Sequence, residues 1–253
     1  MLISREKKFL FIHVQKTAGS SIARILRSQA SDTRPFLGQH DHALWAKRHL
    51  ASEWAGYYKF AFVRNPWDRL VSWYQMIRQD GKLLPWHKRF PFEMIRQSGK
   101  VFPGSQRFLQ KKHYKPFWQY VLKHSNSFEE FLFNCTGIVD DIDGKRSAMY
   151  NQVDYIADER GSIIVDFVGR FENLEHDVNT VIDALGLRSR PLPQVNKSQH
   201  SHYSEYYTEE TRRLVAERYS RDIACFGYQF ENAPRSATAP SLERVPNPVV
   251  GHS

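Results

Sequence analysis

The chain has 253 residues, of which 41% are hydrophobic, and carries a formal net charge of +9. That is enough apolar material for the core of a compact, enzyme-sized α/β domain, and no run approaches the roughly 20 apolar residues of a membrane span. Its two cysteines, Cys135 and Cys225, lie far apart with no CxxC or Cys/His clustering, which excludes a disulfide framework and a zinc site and fits a reducing cytoplasm.

The opening segment, MLISREKKFLFIHV, has basic residues followed by a short apolar stretch without a small-residue cleavage site, so it is not read as a signal peptide. Lys8 to Val14 predicts a strand buried on both faces, and Ile22, Ile25 and Leu26 then recur at helical spacing. Tyr57 to Val63 (YYKFAFV) predicts a second such strand. Pro66 suits the first turn of the helix that follows, whose stripe runs through Leu70, Tyr74 and Ile77. Ser127 is placed to N-cap a helix through Phe128, Phe131 and Leu132, with Glu129 and Glu130 in its first turn. Ser162 to Gly169 (SIIVDFVG) predicts a third strand, and Leu174 to Leu185 and Thr208 to Tyr219 predict helices.

Strands alternating with helices predict a parallel, three-layer α/β sheet, which binds ligands beyond the carboxyl ends of its strands. Residues 1–232 are expected to form one domain. Between Arg78 and His124 the chain is basic and aromatic, with Arg89, Arg96, Arg107, Lys111, Lys112 and Lys115 against Asp80 and Glu93, and reads as an insertion over the sheet. Residues 233–253 have the composition of a disordered tail.

Two polar loops follow the first two strands. HVQKTAGSS supplies Lys16, the hydroxyls of Thr17, Ser20 and Ser21, and a run of backbone N–H groups leading into a helix N-terminus, the groups that bind a phosphate. A plain polar turn with Ser20 or Ser21 as N-cap is the simpler alternative. The Lys-Thr pair directly behind an apolar strand favours the anion site. It is not a Walker A loop, because the leading glycine of GxxxxGK[ST] is missing. FAFVRNPWDRLVS places Arg64 at the end of the second strand and Ser72 two turns into the next helix, groups that can grip a second phosphate of one ligand.

Together, HVQKTAGSS and FVRNPWDRLVS resemble the paired 5′-phosphosulfate and 3′-phosphate motifs of sulfotransferases that use 3′-phosphoadenosine 5′-phosphosulfate (PAPS). The carbohydrate branch, with HxxKTAGxS and RxPxxRxxS, is the nearest in pattern. VDFVGRFENLEHD and NKSQHSHYSEYYTEETRRLVAERYSRDIACFGYQF are similar to that family's third strand, cofactor-covering loop and closing helix, so the likeness covers most of residues 8 to 230.

The resemblance implies a P-loop-NTPase-like three-layer fold with a central parallel sheet and a basic, mostly helical insertion on the acceptor side. It implies PAPS as donor, PAP as product and no required metal. Lys16, Thr17, Ala18, Gly19, Ser20 and Ser21 would hold the 5′-phosphosulfate, Arg64 and Ser72 the 3′-phosphate, and Lys197 and Tyr203 would close over the nucleotide. The acceptor would be a hydroxyl on a carbohydrate or glycoconjugate. Animal relatives are anchored by an N-terminal membrane helix, and a first strand at about residue 8 points instead to a bacterial-type soluble, cytoplasmic enzyme.

Sulfuryl transfer requires a base for the attacking hydroxyl and a cation for the leaving phosphate. GQHDHALW offers His40 and His42 between the two loops. The resemblance to the HxH element of uronyl 2-O-sulfotransferases favours His42 as base, with His40 tuning or positioning it and Lys16 stabilising the leaving group. His13 is read as structural. Most of the eleven histidines are expected to be surface or capping residues.

Two other readings stay open. A P-loop kinase would also place phosphate loops after parallel strands, with Asp166 of IIVD in the role of a magnesium aspartate, although Asp166 is expected in mid-strand. Alternatively, the basic insertion with Trp86, Phe117, Trp118 and Tyr120 would bind nucleic acid or another polyanion. An acidic sugar chain suits the same groups better, and no nucleic acid is expected.

Overall fold

The computed structural model describes residues 1–82, 116–137, 148–188 and 201–231. Its strands are β1 (Leu2–Ser4), β2 (Phe9–Ile12), β3 (Arg34–Pro35), β4 (Tyr58–Val63) and β5 (Phe167–Arg170). Its helices in chain order are α1 (Gly19–Gln29), α2 (Ala43–Leu50), α3 (Pro66–Lys82), α4 (Pro116–His124), α5 (Phe128–Cys135), α6 (Leu174–Ala184), α7 (Glu209–Arg218) and α8 (Ser220–Phe226).

The sheet has the order β3-β1-β2-β4-β5. Its centre is parallel as expected: β2 runs beside β4, with Phe9 opposite Tyr58 and Ile12 opposite Ala61, and β4 runs beside β5, with Phe60 opposite Phe167. The sheet as a whole is mixed, which corrects the all-parallel expectation, because β1 is antiparallel to both β2 and β3. Three residues of β1 and two of β3, one of them a proline at the sheet edge, are too short to show any periodicity.

The third strand is also shorter than SIIVDFVG. Ile163 bridges back to Ala157, and Asp158 Oδ1 accepts from the backbone N–H groups of Arg160 and Ser162, so this segment closes on itself before β5 begins at Phe167. Asp166 therefore lies ahead of the strand and not in its middle. Its carboxylate accepts from Lys59 N at 2.8 Å and pairs with Lys59 Nζ at 2.9 Å.

Alternation along the central strands divides the core. Phe9, Phe11, Phe60 and Phe62 face α1 and α6, whereas Leu10, Ile12, Ala61 and Val63 face α2 and α8. Both faces are thus covered by helices, and this is why FLFI in β2 is apolar at every position. A third core joins α3, α4, α5 and α7 through Leu70, Val71, Phe117, Val121, Phe131, Leu132 and Val215. Ser127 N-caps α5 as the sequence predicts, its hydroxyl accepting from Glu130 N.

Of the expected insertion, residues 78–82 complete α3, and 116–124 form α4, whose Phe117 and Val121 are core residues. Residues 83–115, Lys197 and the expected tail lie outside the described residues. Among the described residues no helix is long and apolar enough to cross a membrane.

Candidate functional site

The loop after β2 is shaped by its backbone. Lys16 and Ala18 both have left-handed φ, 68° and 64°, while Thr17 between them is fully buried and donates its hydroxyl to Val14 O at 3.0 Å. The chain thus doubles back and opens α1 at Gly19, with Ala18 as an N-cap that offers no side-chain oxygen. Ser20 and Ser21 fall inside the helix's first turn instead of capping it. The positive end of α1 therefore faces outward without a side-chain cap, the arrangement that suits an anion. Lys16 reaches across to α3, its Nζ 3.2 Å from Met76 Sδ.

The loop after β4 is shaped by side chains. Arg64 Nε donates to Asp68 Oδ2 at 2.7 Å, its NH1 donates to Lys16 O at 3.3 Å, and the guanidinium carbon stands 3.9 Å from the centre of the Phe171 ring. Buried Gln152 accepts from Arg64 N at 2.8 Å and donates to Arg64 O at 2.7 Å. The same amide nitrogen donates to Asp222 Oδ2 at 3.1 Å. Asp222 is itself fully buried, and that burial raises its pKa above the usual carboxylate range. Asn65 N donates to Glu172 Oε1 at 2.6 Å. Arg69, 1% exposed, ties this unit to the first loop: its Nε donates to Gln15 O at 3.1 Å and its NH1 to Tyr150 O at 3.1 Å.

These two loops meet at one cleft of about 640 Å³. Lys16, Ala18, Gly19, Ser20, Ser21, Arg64, Ser72 and Tyr203 all line it, and Thr17 lies beneath the loop that does so. Tyr203 is held by Glu231 N, which donates to its hydroxyl at 2.7 Å, and burial pushes its pKa up to about 12. Trp73, Met76 and Trp118 add apolar surface.

The two candidate histidines part company. His40 lines the cleft and donates from Nδ1 to His13 O at 2.8 Å, which leaves the lone pair of the neutral ring on Nε2. His42 instead precedes α2 as its N-cap, half-buried, with its ring 4.8 Å from that of Tyr155 and 5.8 Å from that of Tyr150. It is not among the residues that line the cleft.

Several cleft and support residues escaped the sequence reading. Asp68 was legible, because an acid four residues after Arg64 lies on the same helical face. Arg69 carried a weaker signal as a lone cation beside Leu70 and Val71. Gln152, Phe171 and Glu172 reach the site from distant parts of the chain and left no local pattern.

Asp166 lies at the other end of the strands, paired to Lys59 next to the start of β4, about four residues or 13 Å along the sheet from Val63. No group of His, Cys, Asp or Glu arranged to hold a metal ion occurs among the described residues.

No curated protein and no solved structure matches the chain. A family model does: residues 1–229 match the one described as the sulfotransferase family. Every residue lining the two-loop cleft except Glu231 lies inside that match, and the chain belongs to the sulfotransferase family, whose general chemistry is sulfuryl transfer.

Proposed function

We propose that the protein transfers the sulfuryl group of PAPS to a hydroxyl of a carbohydrate or glycoconjugate, with PAP as the product. The observation that carries this reading is the convergence of the Lys16 loop and the Arg64–Ser72 unit on one cleft, which suits a nucleotide bearing a phosphate at each end. Lys16, Ser20, Ser21 and the start of α1 would hold the 5′-phosphosulfate, Arg64 and Ser72 the 3′-phosphate, and Tyr203 the nucleotide side of the cleft. Trp73 and Trp118 give the cleft an aromatic lining, which suits a sugar.

In the reaction the acceptor oxygen attacks sulfur while the bond from sulfur to the phosphate oxygen breaks, and the hydroxyl proton passes to a histidine. His40 suits that role on this geometry better than the sequence-favoured His42, because its Nε2 lone pair belongs to a ring on the cleft wall. Lys16 neutralises the charge that grows on the leaving phosphate.

Incubation with PAPS labelled in its sulfur, over a panel of glycans, lipids and small alcohols, tests the reaction, and transfer should persist in EDTA. A kinase would instead need ATP and magnesium. His40→Ala should abolish transfer while PAP binding is retained, with His42→Ala the milder change. The reverse order would return the base to His42, and failure of the wild type to bind PAP would remove the reading altogether.

A further inference from the structure

His13 ends the apolar strand segment, and its ring lies against the first residue of α1. A Cβ at Gly19 would come within 1.9 Å of His13 Nε2 and 2.0 Å of its Cδ2, so the absent side chain at Gly19 is what admits the imidazole to the helix N-terminus. The residue is only 9% exposed, yet it lines the cleft. Its Nδ1 faces the side-chain amide nitrogen of Gln39 at 3.5 Å. An amide nitrogen only donates, so Nδ1 carries the lone pair and the proton sits on Nε2, the atom beside Gly19. Among the described residues Nε2 has no hydrogen-bond partner.

The neighbouring histidine has the opposite tautomer. His40 donates from Nδ1 to His13 O and keeps its lone pair on Nε2, and the two ring centres are 4.7 Å apart. One imidazole therefore offers a proton acceptor to the cleft and the other an N–H donor.

We propose that His13 is a second functional histidine, whose neutral Nε2–H donates to the 5′-terminal anionic group of the nucleotide at the start of α1. This rests on the sulfuryl-transfer reading given above. Two features keep His13 a donor and not a second base. Burial, and then the charge of His40, hold its pKa well below the ordinary histidine value. Moreover, once His40 has taken the acceptor's proton, a second positive ring at this distance is disfavoured.

The test is calorimetric titration of PAP, which has both phosphates, and of adenosine 3′-phosphate, which lacks the 5′ group, onto wild type, His13→Ala and His13→Gln. Loss of a hydrogen bond to a charged group should weaken PAP binding by about ten- to a hundredfold in His13→Ala and leave adenosine 3′-phosphate within about twofold. His13→Gln keeps an N–H donor and should recover part of the loss. Gly19→Ala, which displaces the ring, should reproduce the selective loss and serves as the second probe if His13→Ala folds poorly. Equal weakening of both ligands, or unchanged PAP binding, overturns the proposal. A wild type that binds neither ligand overturns the sulfuryl-transfer reading itself.

Discussion

The two loops that form the cleft reach the same end by opposite means. The loop after β2 is defined by left-handed backbone at Lys16 and Ala18, and its lysine lies near the weak acceptor Met76 Sδ. The loop after β4 is fixed by side chains, with Arg64 held by Asp68, the Lys16 carbonyl and Gln152 and stacked on Phe171. A guanidinium already oriented loses little further freedom on binding, whereas a flexible ammonium can follow charge as it moves. Under the proposed function, the difference would put affinity in the second loop and chemistry in the first.

The largest test of that division is Lys16→Ala. Removing a group that stabilises transition-state charge should lower the rate of a saturated single turnover by about 10²- to 10³-fold, with a smaller loss of PAP affinity. The measurement is transfer from sulfur-labelled PAPS at saturating enzyme. A lysine variant that weakened binding alone would make the first loop a second anchor and erase the contrast.

Arg64→Lys is the matching test of the second loop. A lysine cannot donate to Asp68 and the Lys16 carbonyl at once and stack on Phe171, so affinity for adenosine 3′-phosphate should fall by about tenfold or more. The saturated rate should hold. Calorimetry and single-turnover kinetics on the same preparation separate the two effects, and a fall in the saturated rate without loss of affinity would invert the assignment.

Gln152→Leu probes the support behind Arg64. It leaves the Arg64 backbone groups and Asp222 short of partners in a dry interior, a cost of about 2–3 kcal/mol in denaturant unfolding. The sign of its pH dependence follows from Asp222. Burial raises that carboxyl in the folded state, so the stability it contributes is present below the ordinary carboxylate pKa and is lost as pH rises through the raised value. Without the Gln152 amide the charged form loses a donor, and the loss of stability should extend to higher pH than in the wild type. Coincident pH profiles for the two proteins would show that Gln152 does not support the carboxylate.

How much of this was legible in the sequence follows from range. FLFI and YKFAFV announce strands buried on both faces, and the polar loops behind them announce the groups that line the cleft, because each signal lies within a few consecutive residues. β1, though buried, and β3 are too short to carry a pattern of their own. The histidines show the same limit. His40 and His42 stand on either side of Asp41 in the sequence, yet one ring is drawn to the cleft by the His13 carbonyl and the other to Tyr150 and Tyr155. A preference between them needs a tertiary contact. The role proposed for His13 likewise turns on a contact, its ring seated where a Cβ at Gly19 would stand, that no spacing in the sequence announces.

The smallest expected effect is the most direct on the first loop's backbone. Ala18 at a φ of 64° holds a conformation that costs an L-residue about 1–2 kcal/mol, and Ala18→Gly relieves it while adding freedom to the unfolded chain. The second effect offsets the first only in part, leaving a net gain of about 0.5–1 kcal/mol in unfolding free energy, measured by urea denaturation. The same change should weaken PAP by only a few-fold, since a glycine loop has more freedom to lose on closing around an anion. A gain in stability with a loss of affinity would mean that the alanine keeps the empty loop in its binding shape at the expense of the fold. Loss of both would mean that its methyl group packs within the loop and helps to hold its shape, and the contrast between a backbone-built loop and a side-chain-built one would narrow accordingly.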